Sequence, residues 1–141
     1  LRDAVLDRGT PFFGICVGMQ LMATASRENG RHSGLDWIPG DVVSLAPDDP
    51  SLKIPHMGWN DLKLHKPHPV ISGVKDADHV YFVHSYHFVV KDSDNLIATA
   101  EYGGTQTAIV TRDNMIGTQF HPEKSQATGL LMIKNFLSWR P

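Results

Sequence analysis

The order of apolar and polar positions divides the chain into short elements, beginning with a helix and a buried strand. Leu1, Val5 and Leu6 fall on one face of the first predicted helix, and Gly9 suits its C-terminal cap. No capping Ser, Thr, Asp or Asn opens this helix and the first residue is not methionine, so we expect a chain that is truncated at its N-terminus. The apolar run over residues 10–15 then predicts a strand buried inside a sheet.

Two more helices are predicted from the pattern. One covers Val17–Ser26, directly after the buried strand, and should end near residues 29–30, an Asn-Gly pair. The other covers Ser125–Trp139 and has the spacing of an amphipathic helix. Its predicted apolar stripe consists of Leu130, Ile133 and Leu137.

Between these helices the pattern is one of short strands separated by Pro, Gly, Asn and Asp. The predicted strands are Asp41–Ala46, Trp59–Leu64, His79–His84, His87–Lys91, Leu96–Tyr102, Thr107–Arg112 and Met115–Phe120. No repeat, low-complexity tract or linker interrupts them. The mixture of elements predicts a single α/β domain over residues 1–141, in an order of strands that the pattern alone does not give.

Composition narrows the class of protein. The chain has 41% hydrophobic and 20% charged residues and a net charge of −2, values typical of a soluble globular domain. It has no run of Lys or Arg that would indicate nucleic acid or an anionic membrane surface. It also has no apolar stretch near the roughly 18 residues of a membrane span, and no signal-peptide pattern. The single cysteine excludes an internal disulfide and favours the cytoplasm.

The strongest candidate for chemistry is that cysteine, in the segment Gly14-Ile15-Cys16-Val17-Gly18. The segment is the cysteine counterpart of a G-x-S-x-G nucleophile turn, in which both glycines are expected to allow close backbone approach. The following helix should favour the Cys16 thiolate through its dipole, and the Val17 N–H should serve as an oxyanion donor. The alternative is a small buried hydrophobe, which is a common role for free cysteine.

A second candidate lies where the last predicted strand ends. Pro122 has no N–H with which to continue a strand, and His121 and Glu123 on either side of it should project to the same side. A carboxylate that holds one imidazole nitrogen leaves the other nitrogen to face a thiol. The alternative is a surface pair without function, but a cysteine nucleophile needs such a base.

Eight histidines raise the question of a metal site. His65 and His68 have a spacing suited to metal ligands, as do His84 and His87, but Pro67 interrupts the first pair. A structural zinc site needs four nitrogen or sulfur ligands in recognisable spacing. We therefore predict no metal ligand, and solvated or hydrogen-bonded roles for most of the histidines.

The Cys…His-x-Glu order resembles class I glutamine amidotransferases, which use a Cys-His-Glu catalytic triad. Three motifs resemble, more specifically, the glutaminase subunits of imidazole glycerol phosphate synthases: PHMGWN at residues 55–60, YFVHSY at residues 81–86 and GTQFHPEKSQ at residues 117–126. The resemblance extends from residue 14 to residue 126 and so covers almost the whole chain.

This resemblance implies an α/β fold with an open, mostly parallel sheet flanked by helices and a glutamine site beside Cys16. The implied substrate-binding residues are Val17, Gly18, Gln20, Glu28, His84, Ser85 and Tyr86. The implied partner-interface residues are Trp59, Tyr81 and Lys124. Family members also have a first strand, a helix and a glycine-rich loop with the second oxyanion donor, none of which is present in these 141 residues.

The implied activity is hydrolysis of glutamine to glutamate and ammonia through a Cys16 thioester, without a cofactor. Ammonia would pass to a cyclase subunit, a (β/α)₈ barrel that forms a heterodimer with the glutaminase. The cyclase would then make imidazole glycerol phosphate and aminoimidazole carboxamide ribotide in histidine biosynthesis. The alternatives are a stand-alone γ-glutamyl hydrolase, another class I amidotransferase, or a non-catalytic regulatory module of the same fold.

Overall fold

The computed structural model describes residues 1–141 and contains eleven strands and two α-helices. The strands are β1 (Phe12–Ile15), β2 (Ala25–Ser26), β3 (His32–Ser33), β4 (Gly40–Ser44), β5 (His56–Asp61), β6 (Lys63–Leu64), β7 (His79–His84), β8 (Tyr86–Val90), β9 (Leu96–Glu101), β10 (Thr105–Arg112) and β11 (Met115–Thr118). The helices are α1 (Val17–Gln20) and α2 (Gln126–Ser138). Shorter turns are a π-helical turn at Asp3–Asp7 and 3₁₀ turns at Pro69–Ile71, Ser93–Asn95 and Pro122–Lys124. None of the helices has the length and apolar character needed to cross a membrane.

The largest sheet positions the candidate nucleophile. It has five strands in the order β1-β11-β10-β9-β6, and β1 runs parallel to β11 with Ile15 opposite Thr118. The carboxyl ends of two parallel strands lie at the same edge of a sheet. The residue after β1, Cys16, is therefore close to the segment that follows β11.

Two smaller sheets complete the fold. One has four strands in the order β3-β2-β4-β8, and the other pairs β5 with β7. The predicted α/β class is confirmed, but the mostly parallel sheet needs a correction. Within this chain only β1–β11 and β2–β4 are parallel, and the other six ladders are antiparallel. Short connections such as residues 113–114, between β10 and β11, allow only antiparallel pairing of the strands that they join.

The core has two parts, one on each face of the five-stranded sheet. Neighbouring residues of β10 point to opposite faces, so Ile109 belongs to one apolar cluster and Val110 to the other. The first cluster includes Phe82, Phe120 and Met132 of α2. The second cluster includes the following buried residues of α1, of the segment after it, of the loop before β4 and of β8: Met19, Met22, Trp37 and Phe88.

The seven predicted strands all form, with ends that shift by a few residues. The predicted strand over residues 59–64 is divided between β5 and β6, and the strand over residues 79–84 has the predicted bounds. The structure adds β2 and β3, which have two residues each. Strands of this length are too short to produce a periodic pattern.

The N-terminal segment differs from the predicted helix. It makes one π-helical turn, and only Val5 of the predicted apolar face is buried, whereas Leu1 and Leu6 are exposed. The side chain of Asn114 donates to the Val5 carbonyl at 2.9 Å and to the Thr10 carbonyl at 2.7 Å. These two bonds tie the segment to the turn between β10 and β11.

The predicted helix over residues 17–26 is wrong beyond Gln20. The carbonyl groups of residues 21–24 accept hydrogen bonds from N–H groups of residues 34–38, so they are not available to a continuing helix. The chain instead enters β2 at Ala25. Only one turn of helix therefore follows the nucleophile.

Helix α2 has nearly the predicted bounds, but it buries a different face. Gly129 is buried, whereas Leu130 and Leu137 of the predicted stripe are exposed. A Cβ at Gly129 would overlap the Pro122 carbonyl group. This close approach, which only glycine allows, determines which side of α2 faces the core.

Candidate active site

Cys16 lies in a strained turn between β1 and α1. Its backbone has φ 52° and ψ −109°, a conformation that residues with a side chain rarely adopt. The Cys16 N–H donates to the Thr118 carbonyl at 2.7 Å, which continues the pairing of β1 with β11 for one more residue. The turn therefore presents the side chain at the carboxyl edge of the parallel pair.

The two glycines of the turn do not have equal roles. A Cβ on Gly14 would lie 2.7 Å from the Gly18 carbonyl oxygen, so glycine is sterically required at position 14, as predicted. A Cβ on Gly18 would have no atom within 4 Å. The prediction that both glycines permit close backbone approach is thus wrong for Gly18, because its Cβ position faces open space.

The Cys16 sulfur has two hydrogen-bond partners in this structure. The side-chain amide of Gln119 donates to Sγ at 3.6 Å, and Sγ lies 3.9 Å from the Val83 carbonyl oxygen, to which the thiol donates. Gln119 is fully buried and immediately follows β11. The parallel pairing of β1 and β11 brings these two side chains together.

Burial raises the pKa of the Cys16 thiol above its ordinary value. The N–H of Val17 and the Gln119 amide act in the opposite direction, and the negative charge of Glu123 adds to the increase. The predicted resting thiolate is therefore not supported. The physical reason is that α1 has a single turn, whose dipole is small, while the sulfur is partly removed from water.

His121 and Glu123 form the predicted pair just beyond β11. His121 Nδ1 and Glu123 Oε1 are 2.6 Å apart, across the 3₁₀ turn that Pro122 begins. The His121 backbone is held by its N–H, which donates to the Tyr81 carbonyl at 2.9 Å. The imidazole thus keeps Nε2 for another partner. It makes no hydrogen bond to Cys16 Sγ in this structure.

Three of the predicted substrate-binding residues line one cleft next to Cys16. Val17, Gln20 and Glu28 border a cleft of about 330 Å³, together with residues 32–34. Val17 and Glu28 are exposed. The cleft has the size of a small-molecule site, and its walls carry both apolar and charged groups.

The other predicted substrate-binding residues lie differently. His84 is buried, with 6% of its surface exposed, and it does not border the cleft. Ser85 and Tyr86 are half-buried where β7 turns into β8. Tyr86 does not line the cleft, but its carbonyl oxygen accepts a hydrogen bond at 2.9 Å from Nε2 of Gln20, which does.

Two buried residues of this region were not predicted. Gln119 contacts the sulfur, and His56 Nδ1 lies 3.1 Å from His84 Nε2. Burial, and secondly the neighbouring His84, lower the pKa of His56 to about 4. Both residues belong to motifs that are visible in the sequence, but their contacts depend on strand register, which the motifs do not reveal.

The predicted partner-interface residues form one surface cluster. The rings of Trp59 and Tyr81 meet edge to face with centroids 5.8 Å apart, and Lys124 Nζ lies 6.0 Å from the Tyr81 centroid. Trp59 is 47% exposed. Since the Tyr81 carbonyl also holds the His121 N–H, this cluster adjoins the His121–Glu123 pair.

The largest surface cleft, about 690 Å³, lies elsewhere, along residues 64–74. It includes His65 and His68, whose spacing suggested metal ligands. Their side chains hydrogen-bond separately, His65 to Thr99 at 2.7 Å and His68 to Thr111 at 3.2 Å. The two imidazoles are thus engaged by different strands of the sheet.

Comparison with known sequences agrees with this geometry. The family model described as glutamine amidotransferase class-I matches residues 1–139. The chain is 57% identical over 141 residues to the imidazole glycerol phosphate synthase subunit HisH of Cereibacter sphaeroides, and 57% identical over 139 residues to that of Ruegeria pomeroyi. These alignments cover 100% and 99% of this chain and 66% of each relative. The chain therefore spans about two thirds of the length of the curated relatives that it matches.

Solved structures show the same fold at low identity. A glutamine amidotransferase from Thermotoga maritima matches with a TM-score of 0.65 and 18% identity, over 96% of this chain and 50% of that one. The glutaminase domain of a Trypanosoma brucei CTPS, solved with bound acivicin, matches with a TM-score of 0.63 and 15% identity, over 99% of this chain and 64% of that one.

Proposed function

The chain belongs to the class-I glutamine amidotransferase family, and on this basis we propose that it is the glutaminase part of an imidazole glycerol phosphate synthase. One observation carries the proposal. The parallel pairing of β1 with β11 brings a strained cysteine turn next to the segment that holds the bonded pair His121 and Glu123. The 57% identity to subunits named HisH supports this choice within the family.

In the proposed reaction Cys16 Sγ attacks the side-chain amide carbon of glutamine. His121 takes the thiol proton, and the Val17 N–H stabilises the negative oxygen of the tetrahedral intermediate. His121 then returns the proton to the leaving nitrogen, so ammonia departs and a glutamyl thioester remains. Water, deprotonated by His121, hydrolyses the thioester to glutamate and restores the thiol.

Because the pKa of Cys16 is raised, the proposed role of His121 is to remove the thiol proton. Because the resting sulfur is a thiol, the nucleophile forms only when a base removes the proton. The carboxylate of Glu123 holds Nδ1 and stabilises the imidazolium, which leaves Nε2 for the sulfur and then for the leaving group. Substrate binding would align Sγ with Nε2, since catalytic hydrogen bonds commonly tighten when the substrate is bound.

We assign glutamine to the cleft lined by Val17, Gln20 and Glu28. The Glu28 carboxylate, which is exposed, suits the substrate ammonium group, and the position of a Cβ on Gly18 has no atom within 4 Å. His84 and Tyr86 act on this cleft through Gln20 and not by direct contact. The reaction requires a reduced thiol, which supports the cytoplasm as its location.

We assign the partner surface to the cluster of Trp59, Tyr81 and Lys124. A half-exposed tryptophan beside a tyrosine has the aromatic composition of an interface centre, and Lys124 lies beside the tyrosine ring. The partner is a cyclase barrel that receives the ammonia. It would lie next to the His121–Glu123 pair, where the leaving group is released.

The test uses the full-length protein that carries this chain, purified with its cyclase. Cys16→Ala should lower glutamate formation by a factor on the order of 10⁴ or more, with an unchanged circular dichroism spectrum. A diazo-ketone analogue of glutamine should modify the Cys16 peptide, as measured by mass spectrometry. Glutaminase activity that survives Cys16→Ala would exclude this nucleophile.

The partner assignment has its own measurement. Glutamate formation should increase when the cyclase and its ribonucleotide substrate are added. Equal activity without the cyclase would instead identify a stand-alone glutamine hydrolase. A wild-type protein that neither turns over glutamine nor reacts with the analogue would identify a non-catalytic module.

A further inference from the structure

A buried pair of histidines lies outside the triad. His56 of β5 and His84 of β7 are directly opposite in the antiparallel ladder, and they are 3% and 6% exposed. The His56 ring is stacked between Phe82 and Tyr102, with centroid distances of 4.7 and 3.9 Å. An apolar side chain would fill this space without the cost of desolvating an imidazole. The presence of a histidine at position 56, and not of an apolar residue, therefore indicates a role for its ring nitrogens.

The direction of each hydrogen bond in the pair follows from one carbonyl group. The Tyr86 carbonyl can only accept, so His84 donates to it from Nδ1 at 2.8 Å. A neutral His84 then accepts at Nε2, and His56 donates to it from Nδ1 at 3.1 Å. Asn60 donates to the remaining His56 nitrogen at 3.3 Å. Burial lowers the pKa of His56 to about 4 and also lowers the pKa of His84, which keeps both rings neutral.

The hydrogen bonds continue from Tyr86 to the nucleophile. The Tyr86 carbonyl also accepts from Gln20 Nε2 at 2.9 Å. The second hydrogen of the same amide goes to Gln119 Oε1 at 3.0 Å, which leaves the Gln119 amide to donate to Cys16 Sγ at 3.6 Å. One assignment satisfies every donor and acceptor in this series: donation runs from His56 through His84 to the Tyr86 carbonyl, and from Gln20 both to that carbonyl and to Gln119.

We infer that His56 is a positioning residue for the nucleophile: through His84 and the Tyr86 carbonyl it fixes Gln20, and through Gln20 the Gln119 amide that donates to the Cys16 sulfur. The inference deepens the proposed function and rests on it for the effect on turnover. The effect on the sulfur itself does not depend on any substrate. Since the Gln119 amide lowers the pKa of Cys16, a loosened amide should raise the pKa of the thiol further.

The experiment compares variants of the full-length protein with its cyclase by the rate at which iodoacetamide alkylates Cys16. Peptide mass spectrometry assigns the rate to this residue, and rates are measured across pH. His56→Leu keeps the bulk of the ring but removes the donor, and should slow alkylation at neutral pH by roughly three- to thirtyfold. His56→Asn keeps an N–H near the Nδ1 position and should restore most of the rate.

The control is His68→Leu. His68 is also partly buried and contacts the Trp139 ring edge to face, but it has no link to the sulfur. This variant should lose stability and keep the alkylation rate of the wild type. In the glutaminase assay, His56→Leu should lower kcat more than it raises KM, because the series of hydrogen bonds from His56 reaches Gln20 but not Val17 or Glu28, which also line the glutamine cleft.

Equal alkylation rates in folded His56→Leu and wild type would overturn the inference. Where the leucine variant does not fold, His56→Asn is compared with His56→Gln, which places its amide beyond the Nδ1 position. Equal rates and equal pH midpoints for those two variants would overturn it as well. A wild-type protein without glutaminase activity would refute the proposed function alone, because alkylation still reports on the sulfur.

Discussion

Replacing Gly14 by alanine tests whether close contact between two backbone segments builds the nucleophile turn. The new Cβ would lie 2.7 Å from the Gly18 carbonyl oxygen, 2.8 Å from its carbon and 2.9 Å from the Met19 nitrogen. All three are backbone atoms, so no side-chain rotation relieves the contact. β1 and α1 would have to separate. Overpacking of this kind costs about 1–3 kcal/mol, and rigid backbone neighbours favour the upper value.

Gly18→Ala is the matched control, since it makes the same chemical change four residues later. Its Cβ would meet no atom within 4 Å. Position 18 lies inside α1, where alanine is favoured over glycine by about 1 kcal/mol. We therefore expect Gly18→Ala to leave the free energy of unfolding unchanged or to raise it by up to that amount.

The assay is urea denaturation followed by far-UV circular dichroism, at equal m-value. A difference of about 3–4 kcal/mol between the two variants corresponds to midpoints at least about 1 M apart. Midpoints that agree within error would refute the reasoning, because the close contact between residues 14 and 18 would then carry no energy. A Gly14→Ala protein that folds but alkylates Cys16 at an altered rate would locate the damage in the turn.

Three further outcomes are expected. Glu123→Gln should lower the glutaminase kcat by about 10⁴, because an amide stabilises the His121 imidazolium poorly; a value within tenfold of wild type would exclude the orienting role. The folded pKa of His56, about 4, is below its ordinary 6.5, so the unfolded chain takes up the proton first. The free energy of unfolding should therefore be unaffected by His56 titration above pH 6.5 and should fall by up to about 3 kcal/mol as the pH is lowered toward 4. Urea midpoints measured across this range should show a smaller loss in His56→Asn than in the wild type. Asn114→Ala removes two hydrogen bonds, at 2.9 and 2.7 Å, and should lower the free energy of unfolding by about 2 kcal/mol in the same assay, whereas an unchanged midpoint would show that the N-terminal turn is not held by them.

The nucleophile turn could be predicted because its requirements are local. A cysteine between a buried strand and a helix start, with glycine two residues before it, already specifies a tight bend. The pairing of His121 with Glu123 was also accessible, since the two residues are near neighbours in the sequence, although a 3₁₀ turn and not the predicted extended backbone brings their side chains together. Both predictions depend on residues within a few positions of each other.

The buried face of α2 and the length of α1 depended on distant residues. Gly129 turns one side of α2 toward the Pro122 carbonyl, and this contact outweighs the apolar stripe that the spacing suggests. Residues 34–38 capture the carbonyl groups that would have extended α1. The energy of a short helix is small, so a competing set of backbone hydrogen bonds is enough to end it.

Gln119 and His56 were missed for a related reason. Gln119 reaches the sulfur only because β1 and β11 are parallel with Ile15 opposite Thr118, and His56 meets His84 only because β5 and β7 pair in one register. A shift of one residue would turn either side chain to the other face of its strand. The sequence motifs show that such residues are present, but the pairing of the strands determines which side chains they contact.

The protonation state of Cys16 connects the fold to the proposed chemistry. A nucleophile at the start of a long helix could rest as a thiolate, but here the helix has four residues and burial raises the pKa of the thiol. The proton must therefore leave during the reaction, which requires a base at the same edge of the sheet. Parallel pairing of β1 with β11 brings Cys16 and the segment with His121 to the same edge. The Glu123 carboxylate disfavours a thiolate at rest. It stabilises His121 once the imidazole has accepted the proton. The same charge thus opposes a resting thiolate and supports the imidazolium that accompanies attack.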